Sequence, residues 1–169
     1  SIGFFPDVGG SYFLSRLSCE MGTYMGVTGN SVGPADALQL GLADWFLHRE
    51  QITEFDRCLD NMQWGHSSPE AVRSLLNTLA SKHSSGAQLT AVRGAINTHF
   101  AHNSVADIIA SLTSETDSSI QAWCQETIAT LRSRSPLAMA TTLEMLRRGQ
   151  DLSLADCFRL EYHLGSQWF

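Results

Sequence analysis

The chain opens with Ser1-Ile-Gly-Phe-Phe-Pro-Asp-Val-Gly-Gly-Ser-Tyr-Phe-Leu-Ser-Arg-Leu17, its most informative stretch. An apolar run leads into Pro6, whose ring fixes its own φ and pushes Phe5 towards an extended conformation. The glycine pair that follows has no Cβ, so the backbone can approach another segment or a ligand closely. One carboxylate, Asp7, stands before these glycines, where a helical apolar pattern begins. The local pattern alone favours an N-cap role for Asp7, because free amides and peptide dipoles stabilise an acid at a helix N-terminus.

The same stretch resembles the I-G-L-F-P-D-V-G-G-x-Y-F-L-x-R-L segment of the 3-hydroxyisobutyryl-CoA hydrolases, a branch of the crotonase (enoyl-CoA hydratase/isomerase) superfamily. The resemblance implies that Asp7 faces the acyl group of a bound thioester and takes part in catalysis. Hydratases of the superfamily usually have glycine at this position, so Asp7 favours the hydrolase branch. Phe4 and Phe5 flank the implied site and are weaker candidates for contact with the acyl group, since a Phe in a strand is more often part of a core.

Shorter resemblances to the same family continue along the chain. They lie at the T-G…A-x-x-x-G-L-A-D run of 28–44, at 96–109, and at 135–164, where Glu161-Tyr162-His163-Leu164 is similar to the family's E-Y-R-L. The resemblance implies an α/β fold, in which the C-terminal part of a crotonase-type β-spiral (ClpP/crotonase-like) is followed by a mainly α-helical region. We expect residues 1–48 to form the end of the spiral with the Asp7 segment, and residues 49–169 to form the helical region.

Apolar spacing predicts the secondary structure in more detail. Extended pieces are expected at 2–5, near 32 and at 43–47. Helices are predicted over 10–17, 19–27, 35–40, 51–62, 69–79, 104–112, 120–134 and 138–148, whereas 89–100 is mixed, with Ile96 and Phe100 as its apolar anchors.

Composition excludes several classes of function. The formal net charge of −6 and the lack of a basic stripe argue against nucleic acid as a partner. No apolar run approaches the roughly 20 residues of a membrane helix. The four cysteines are far apart without a C-x-x-C pair, which favours free thiols in a reducing compartment. The six histidines form no H-x-x-x-H or H-E-x-x-H pair, so we expect surface or cap positions for them and no metal site.

The resemblance implies a function: hydrolysis of 3-hydroxyisobutyryl-CoA in valine catabolism, a step of branched-chain amino acid degradation. Family members carry a catalytic glutamate shortly upstream of the aspartate, which would lie before Ser1, and oxyanion-hole amides from still earlier segments. We therefore expect this chain to be the C-terminal part of a longer protein, to depend on the remainder of its own polypeptide, and to be inactive by itself. No cofactor is expected, because coenzyme A is part of the substrate.

Two alternatives stay open at this point. The first is an enoyl-CoA hydratase or isomerase of the same fold, and the second is a catalytically silent relative that serves as a structural subunit. The expected partners are an acyl-CoA and further copies of the chain in a homo-oligomer, in the mitochondrial matrix of a eukaryote or the cytoplasm of a bacterium. The basic residues concentrate late in the chain, where a CoA phosphate contact and a solvated face are both open, at Arg132, Arg134, Arg147 and Arg148.

Overall fold

The computed structural model describes residues 3–65, 67–81 and 86–168. Within these ranges the chain forms helices joined by turns and irregular segments, and no β-strand. The helices are α1 (Gly10–Leu14), α2 (Met21–Thr28), α3 (Pro34–Gln39), α4 (Arg49–Asp60), α5 (Ser68–Leu79), α6 (Gln88–Ala91), α7 (Arg93–His99), α8 (Val105–Thr113), α9 (Gln121–Arg132), α10 (Pro136–Gly149) and α11 (Leu154–Trp168).

The described residues divide into two compact units. The first combines the residues up to Ser31 with those from Ala91 onward, and the second is formed within Val32–Thr90. The expected boundary at residue 48 lies inside the second unit, and the late helix α10 packs on α1 and α2 within the first. The domain organisation of the whole protein stays a prediction.

The first unit has a dense apolar core between its early and late helices. Glycine permits the close approach of α1 and α2: a Cβ added at Gly22 would lie 1.7 Å from the carbonyl oxygen of Leu14. The ring of Tyr24 packs edge-on against Phe100 at a centroid distance of 5.2 Å. Fully buried large side chains come from α2, the end of α7, α8, α9 and α10, namely Met21, Ile96, Phe100, Ile108, Leu112, Leu131, Met145 and Leu146. This core fixes α1, and therefore the turn that precedes it, against α10.

The second unit is held more loosely. Pro34 lies in the first turn of α3, where its missing N–H costs nothing, and Asp36 of the same helix is buried. The Asp36 carboxylate accepts hydrogen bonds from the backbone N–H groups of Gln88 and Leu89, at 3.3 and 3.0 Å, and so caps the start of α6. Helices α4 and α5 pack together, yet neither contains a buried residue.

The extended pieces expected at 2–5, near 32 and at 43–47 do not form strands in the described ranges, and Ile2 lies outside them. A strand is stabilised by a ladder of backbone hydrogen bonds to a partner strand. Two isolated backbone bonds join the 43–47 segment to other described residues, from Ala43 N–H to the Ala37 carbonyl oxygen at 3.3 Å and from Ser81 N–H to the Phe46 carbonyl oxygen at 2.9 Å, and they form no ladder. The described residues therefore show the helical part of the expected fold, and its β-spiral is not seen in them.

Candidate active site

Asp7 begins a tight turn that leads into α1. The backbone N–H of Gly10 donates to the Asp7 carbonyl oxygen at 2.9 Å, which closes the turn over residues 7–10. The two central residues, Val8 and Gly9, have φ of 56° and 86°, in the left-handed region. Glycine adopts this region freely, but for a β-branched residue it is a strained conformation, at a cost of about 1–3 kcal/mol. The surroundings of the turn must therefore hold it in place.

A carboxylate from the other end of the chain holds this turn. Glu161 of α11 is buried, and its Oε2 accepts from Gly9 N–H at 2.8 Å, while its Oε1 accepts from Ser11 N–H at 2.9 Å. The Ser11 hydroxyl also donates to Oε1. Glu161 thus satisfies N–H groups at the start of α1 that the helix itself leaves unpaired.

Asp7 is not the N-cap of α1. The N-cap position is Gly9, with no side-chain cap, and the Asp7 side chain accepts no hydrogen bond from any residue that the structure describes. Asp7 is exposed at the surface of the turn. The N-cap interpretation of Asp7 is therefore wrong, because Glu161 occupies the donors that such a cap would use.

Asp7 borders a cavity of about 460 Å³ in the first unit. Its walls are mostly apolar and come from the Asp7 segment, α2 and the start of α10; its polar groups cluster where α2 ends. It is lined by Phe4, Phe5, Pro6, Asp7, Leu14, Met25, Gly26, Val27, Thr28, Gly29, Asn30, Arg134, Ser135, Ala138, Met139 and Thr142. We call this space the Asp7 cavity. It brings together all three residues that the sequence placed at the site.

The two phenylalanines form the apolar floor beside Asp7. Their rings stack at a centroid distance of 4.2 Å, and both meet the Trp168 ring edge-on, at 5.6 Å from Phe4 and 5.3 Å from Phe5. Phe5 is only 2% exposed, so it serves the core as much as the cavity. Phe4 is half-buried and has more surface available at the cavity.

Polar groups where α2 ends and α10 begins also line the cavity. Gly29, with φ of 64°, ends α2, and the Arg134 Nε–H donates to the carbonyl oxygen of Thr28 at 2.8 Å. Ser135 is the N-cap of α10, and its hydroxyl accepts from Ala138 N–H at 3.3 Å. The Asp7 cavity is therefore lined by a carboxylate and a guanidinium, with apolar walls between them.

Asp7 also borders a second opening, of about 480 Å³, where the turn meets α11. The residues around it include Asp7, Val8, Glu161 and the largely exposed Tyr162. Asp7 thus borders two open spaces, while the backbone next to it is bonded to α11.

The other arginines of the late basic group either pair with an acid or are exposed. Arg147 forms an ion pair with Glu20 at 2.9 Å, and Arg148 forms one with Glu144 at 2.7 Å. Arg132 is exposed. Of the late basic cluster, Arg134 is the member that borders the Asp7 cavity.

The expectation of surface or cap positions is wrong for His99. This histidine is buried, with Nδ1 2.8 Å from the Ser111 hydroxyl and Nε2 3.1 Å from Glu115 Oε2. Within the described ranges, no group of three His, Cys, Asp or Glu side chains is arranged to hold a metal ion. None of the helices described there is both long and apolar enough to cross a membrane.

Sequence reasoning missed the role of Glu161. A signal existed, because Glu161 follows the buried Cys157 by one helical turn and so interrupts the core-facing side of α11 with a charge. A charged residue on a buried face requires hydrogen-bonding partners. Sequence could not show that the partners lie 150 and 152 residues away, at Ser11 and Gly9.

Comparison with known proteins adds the family. A family model described as enoyl-CoA hydratase/isomerase matches residues 1–169. The mitochondrial 3-hydroxyisobutyryl-CoA hydrolase of Xenopus laevis is 31% identical, over 97% of this chain and 42% of that protein. The small ribosomal subunit protein mS47 of Neurospora crassa is 27% identical, over 99% of this chain and 35% of that protein. A crystal structure of a carnitinyl-CoA dehydratase from Mycobacterium thermoresistibile matches with a TM-score of 0.80 at 34% identity, covering 95% of this chain and 44% of that one. The chain spans less than half the length of each of these proteins.

Proposed function

The chain belongs to the enoyl-CoA hydratase/isomerase family, and from this premise we propose that the full-length protein hydrolyses a short branched 3-hydroxyacyl-CoA thioester, 3-hydroxyisobutyryl-CoA, in valine catabolism. The observation that carries the proposal is Asp7: an exposed carboxylate, free of hydrogen bonds to the described residues, at the edge of a cavity with apolar walls. A similar hydrolase from Xenopus laevis supports the substrate class.

The chemistry of such a site follows from the charge and position of Asp7. Hydrolysis breaks the thioester C–S bond and adds water, which yields the carboxylic acid and the free thiol of CoA. Asp7 either accepts a hydrogen bond from the 3-hydroxyl of the substrate or passes a proton to the departing thiolate. A glutamate outside this chain attacks the thioester carbonyl or activates the water, and backbone amides stabilise the oxyanion. No cofactor is needed, because coenzyme A arrives as part of the substrate.

The cavity suits an acyl group in size and polarity. Its volume of about 460 Å³ falls in the range of roughly 300–1,000 Å³ typical of small-molecule sites. Phe4, backed by the buried Phe5, offers apolar surface to the branched methyl group, and Asp7 offers an acceptor for the hydroxyl. We further propose that the protein forms a homo-oligomer and acts in the mitochondrial matrix if its source is eukaryotic, or in the cytoplasm if it is bacterial.

Two alternatives are each favoured by one comparison. The similar carnitinyl-CoA dehydratase favours hydration or dehydration of an enoyl-CoA on the same fold. The similar ribosomal subunit protein of Neurospora crassa favours a structural subunit without catalysis. Asp7 argues for the hydrolase, since the hydratase branch usually has glycine there.

The test compares two substrates with the full-length gene product. We expect release of free CoA from 3-hydroxyisobutyryl-CoA, followed with a thiol reagent, and little loss of the conjugated absorbance of the matching enoyl-CoA. Rapid hydration without CoA release would favour the hydratase, and no reaction with either substrate would favour the structural subunit. Residues 1–169 alone are expected to release no CoA, and measurable release would contradict the dependence on an upstream glutamate.

A further inference from the structure

We infer that Glu161 is a positioning residue for Asp7. It holds the 7–11 turn in the strained conformation from which Asp7 borders the cavity. The expected effect of Glu161 on catalysis rests on the proposed hydrolase function. The contacts that support the inference are independent of that function.

The environment of Glu161 is unusual for a carboxylate. The residue is 5% exposed, and no ion pair to it occurs among the described residues. Its partners are two backbone N–H groups and one hydroxyl, all from Gly9 and Ser11. Burying a carboxylate is costly unless hydrogen bonds replace its hydration, and here three donors from one turn do so.

These donors directly follow the strained residue Val8. Gly9 directly follows Val8, whose φ of 56° is unfavourable for valine, and Ser11 lies in the first turn of α1. Residues in such conformations persist only where the surrounding structure over-determines them. Without the bonds to Glu161, Val8 is free to return to an ordinary negative φ. That rotation moves the preceding residue, Asp7, away from its present position at the cavity.

The turn also packs closely against α11. A Cβ added at Gly9 would lie 3.4 Å from Cζ of Phe158, one helical turn before Glu161 on α11. The backbone of the turn therefore lies against side chains of α11, and the Glu161 carboxylate of the same helix bonds to it there. Its position explains why an acid, and not a neutral side chain, occupies this place: each of its two oxygens faces an N–H donor.

Glutamine cannot reproduce this arrangement although it has the same shape. Its amide has one oxygen and one NH₂ group, so either orientation sets an N–H against an N–H, at Gly9 or at Ser11. We expect Glu161→Gln to release the turn while the core of the first unit stays folded. Glu126→Gln is the matched control, since Glu126 is exposed on α9.

The kinetic test is a double-mutant cycle in the full-length protein with 3-hydroxyisobutyryl-CoA. Glu161→Gln is expected to lower kcat by about tenfold to a hundredfold, the range for a misplaced catalytic group, with KM within about twofold of wild type. In the Asp7→Asn background the same change is expected to lower kcat by less than about twofold, because Asp7 is no longer there to be positioned. Losses that simply multiply would overturn the inference, and so would a Glu161→Gln protein as active as the Glu126→Gln control.

A second measurement separates the inference from the proposed function. Amide hydrogen exchange at Gly9 and Ser11 is expected to accelerate by at least about tenfold in Glu161→Gln and to stay unchanged in Glu126→Gln. Unchanged exchange overturns the inference whatever the activity. Wild-type protein that hydrolyses no thioester defeats the proposed function, and the exchange rates still decide whether Glu161 holds the turn. If Glu161→Gln does not fold, Ser11→Ala removes one of the three donors and carries the same comparisons.

Discussion

Two carboxylates meet at the turn before α1, and they differ in burial and in hydrogen bonding. Asp7 is exposed and accepts nothing from the described residues, whereas Glu161 is buried and accepts from three donors. A fully bonded carboxylate is fixed in place, while an unbonded one can accept a hydrogen bond or a proton from a substrate. Glu161 therefore has a structural role at this turn, whereas the Asp7 carboxylate can still accept a hydrogen bond or a proton.

Asp7 was a site candidate from the sequence alone, whereas the role of Glu161 was missed. The F-P-D-V-G-G pattern is local, so the sequence alone was enough to name Asp7 and its neighbours Phe4 and Phe5 as candidates, and all three line the Asp7 cavity. The contact of Glu161 with the turn spans about 150 residues of chain, and no local pattern records it. Arg134 was one of four basic candidates, and its place beside the cavity depends on how α10 packs on α2.

A polar network around His99 yields a prediction about pH. Backbone N–H groups of Asp117 and Thr116 donate to Glu115 at 2.8 and 2.7 Å, and together with nearby His99 they hold the pKa of Glu115 below its usual value. A lowered folded-state pKa means stabilisation that is present above the unfolded pKa of about 4.3 and lost as pH falls through the folded value. We expect Glu115→Gln to lower the melting temperature at pH 7.

The pH dependence distinguishes this network from simple packing. The difference in melting temperature between wild type and Glu115→Gln is expected to shrink once the pH falls below about 4.3. The exposed Glu126→Gln serves as the control, with no difference expected at either pH. A deficit in Glu115→Gln that is the same at pH 7 and at acid pH would contradict the role assigned to the carboxylate charge.

Among the secondary-structure elements, long helices were predicted close to their observed bounds, whereas the expected strands do not form in the described residues. Helices predicted at 51–62, 120–134 and 138–148 correspond to α4, α9 and α10 within a few residues at each end. The segment 89–100, whose apolar pattern is mixed, is divided at Val92 into α6 and α7, and the first helix ends at Leu14 instead of the predicted Leu17. Helical periodicity reports local spacing, whereas a strand depends on a distant partner that the pattern does not reveal. The match to a solved dehydratase structure confirms the crotonase-type fold.

Adding one methyl group at Gly22 tests the close contact between α1 and α2. A Cβ at Gly22 would overlap the Leu14 carbonyl group, so Gly22→Ala must push the two helices apart. We expect it to lower the free energy of unfolding by about 3 kcal/mol or slightly less, towards the upper end for overpacking. Urea denaturation followed by circular dichroism measures the effect.

Gly94→Ala is the matched control for this substitution. Gly94 also lies in a helix, α7, but a Cβ there would meet nothing within 4 Å. Alanine is the better helix former, so we expect a gain of up to about 1 kcal/mol. A Gly22→Ala protein as stable as Gly94→Ala would contradict the close approach of α1 and α2.

At the scale of the whole molecule, the two compact units differ in how much they bury. Seven of the fourteen residues of α10 are buried, whereas α4 and α5 bury none. Segments with few buried contacts open most readily. We therefore expect amides of α4 and α5 to exchange hydrogen at least about tenfold faster than those of α10 in a mass-spectrometric experiment. Equal protection of the three helices would contradict the ranking.

Replacing the Asp7 carboxylate by an amide tests directly whether Asp7 takes part in the proposed thioester hydrolysis. CoA release from 3-hydroxyisobutyryl-CoA is compared between the full-length protein and its Asp7→Asn variant, with the exposed Asp44→Asn as control. We predict that Asp7→Asn lowers kcat/KM at least tenfold, about 1.4 kcal/mol of transition-state stabilisation, while Asp44→Asn leaves it unchanged. Wild-type kcat/KM in Asp7→Asn would contradict the claim.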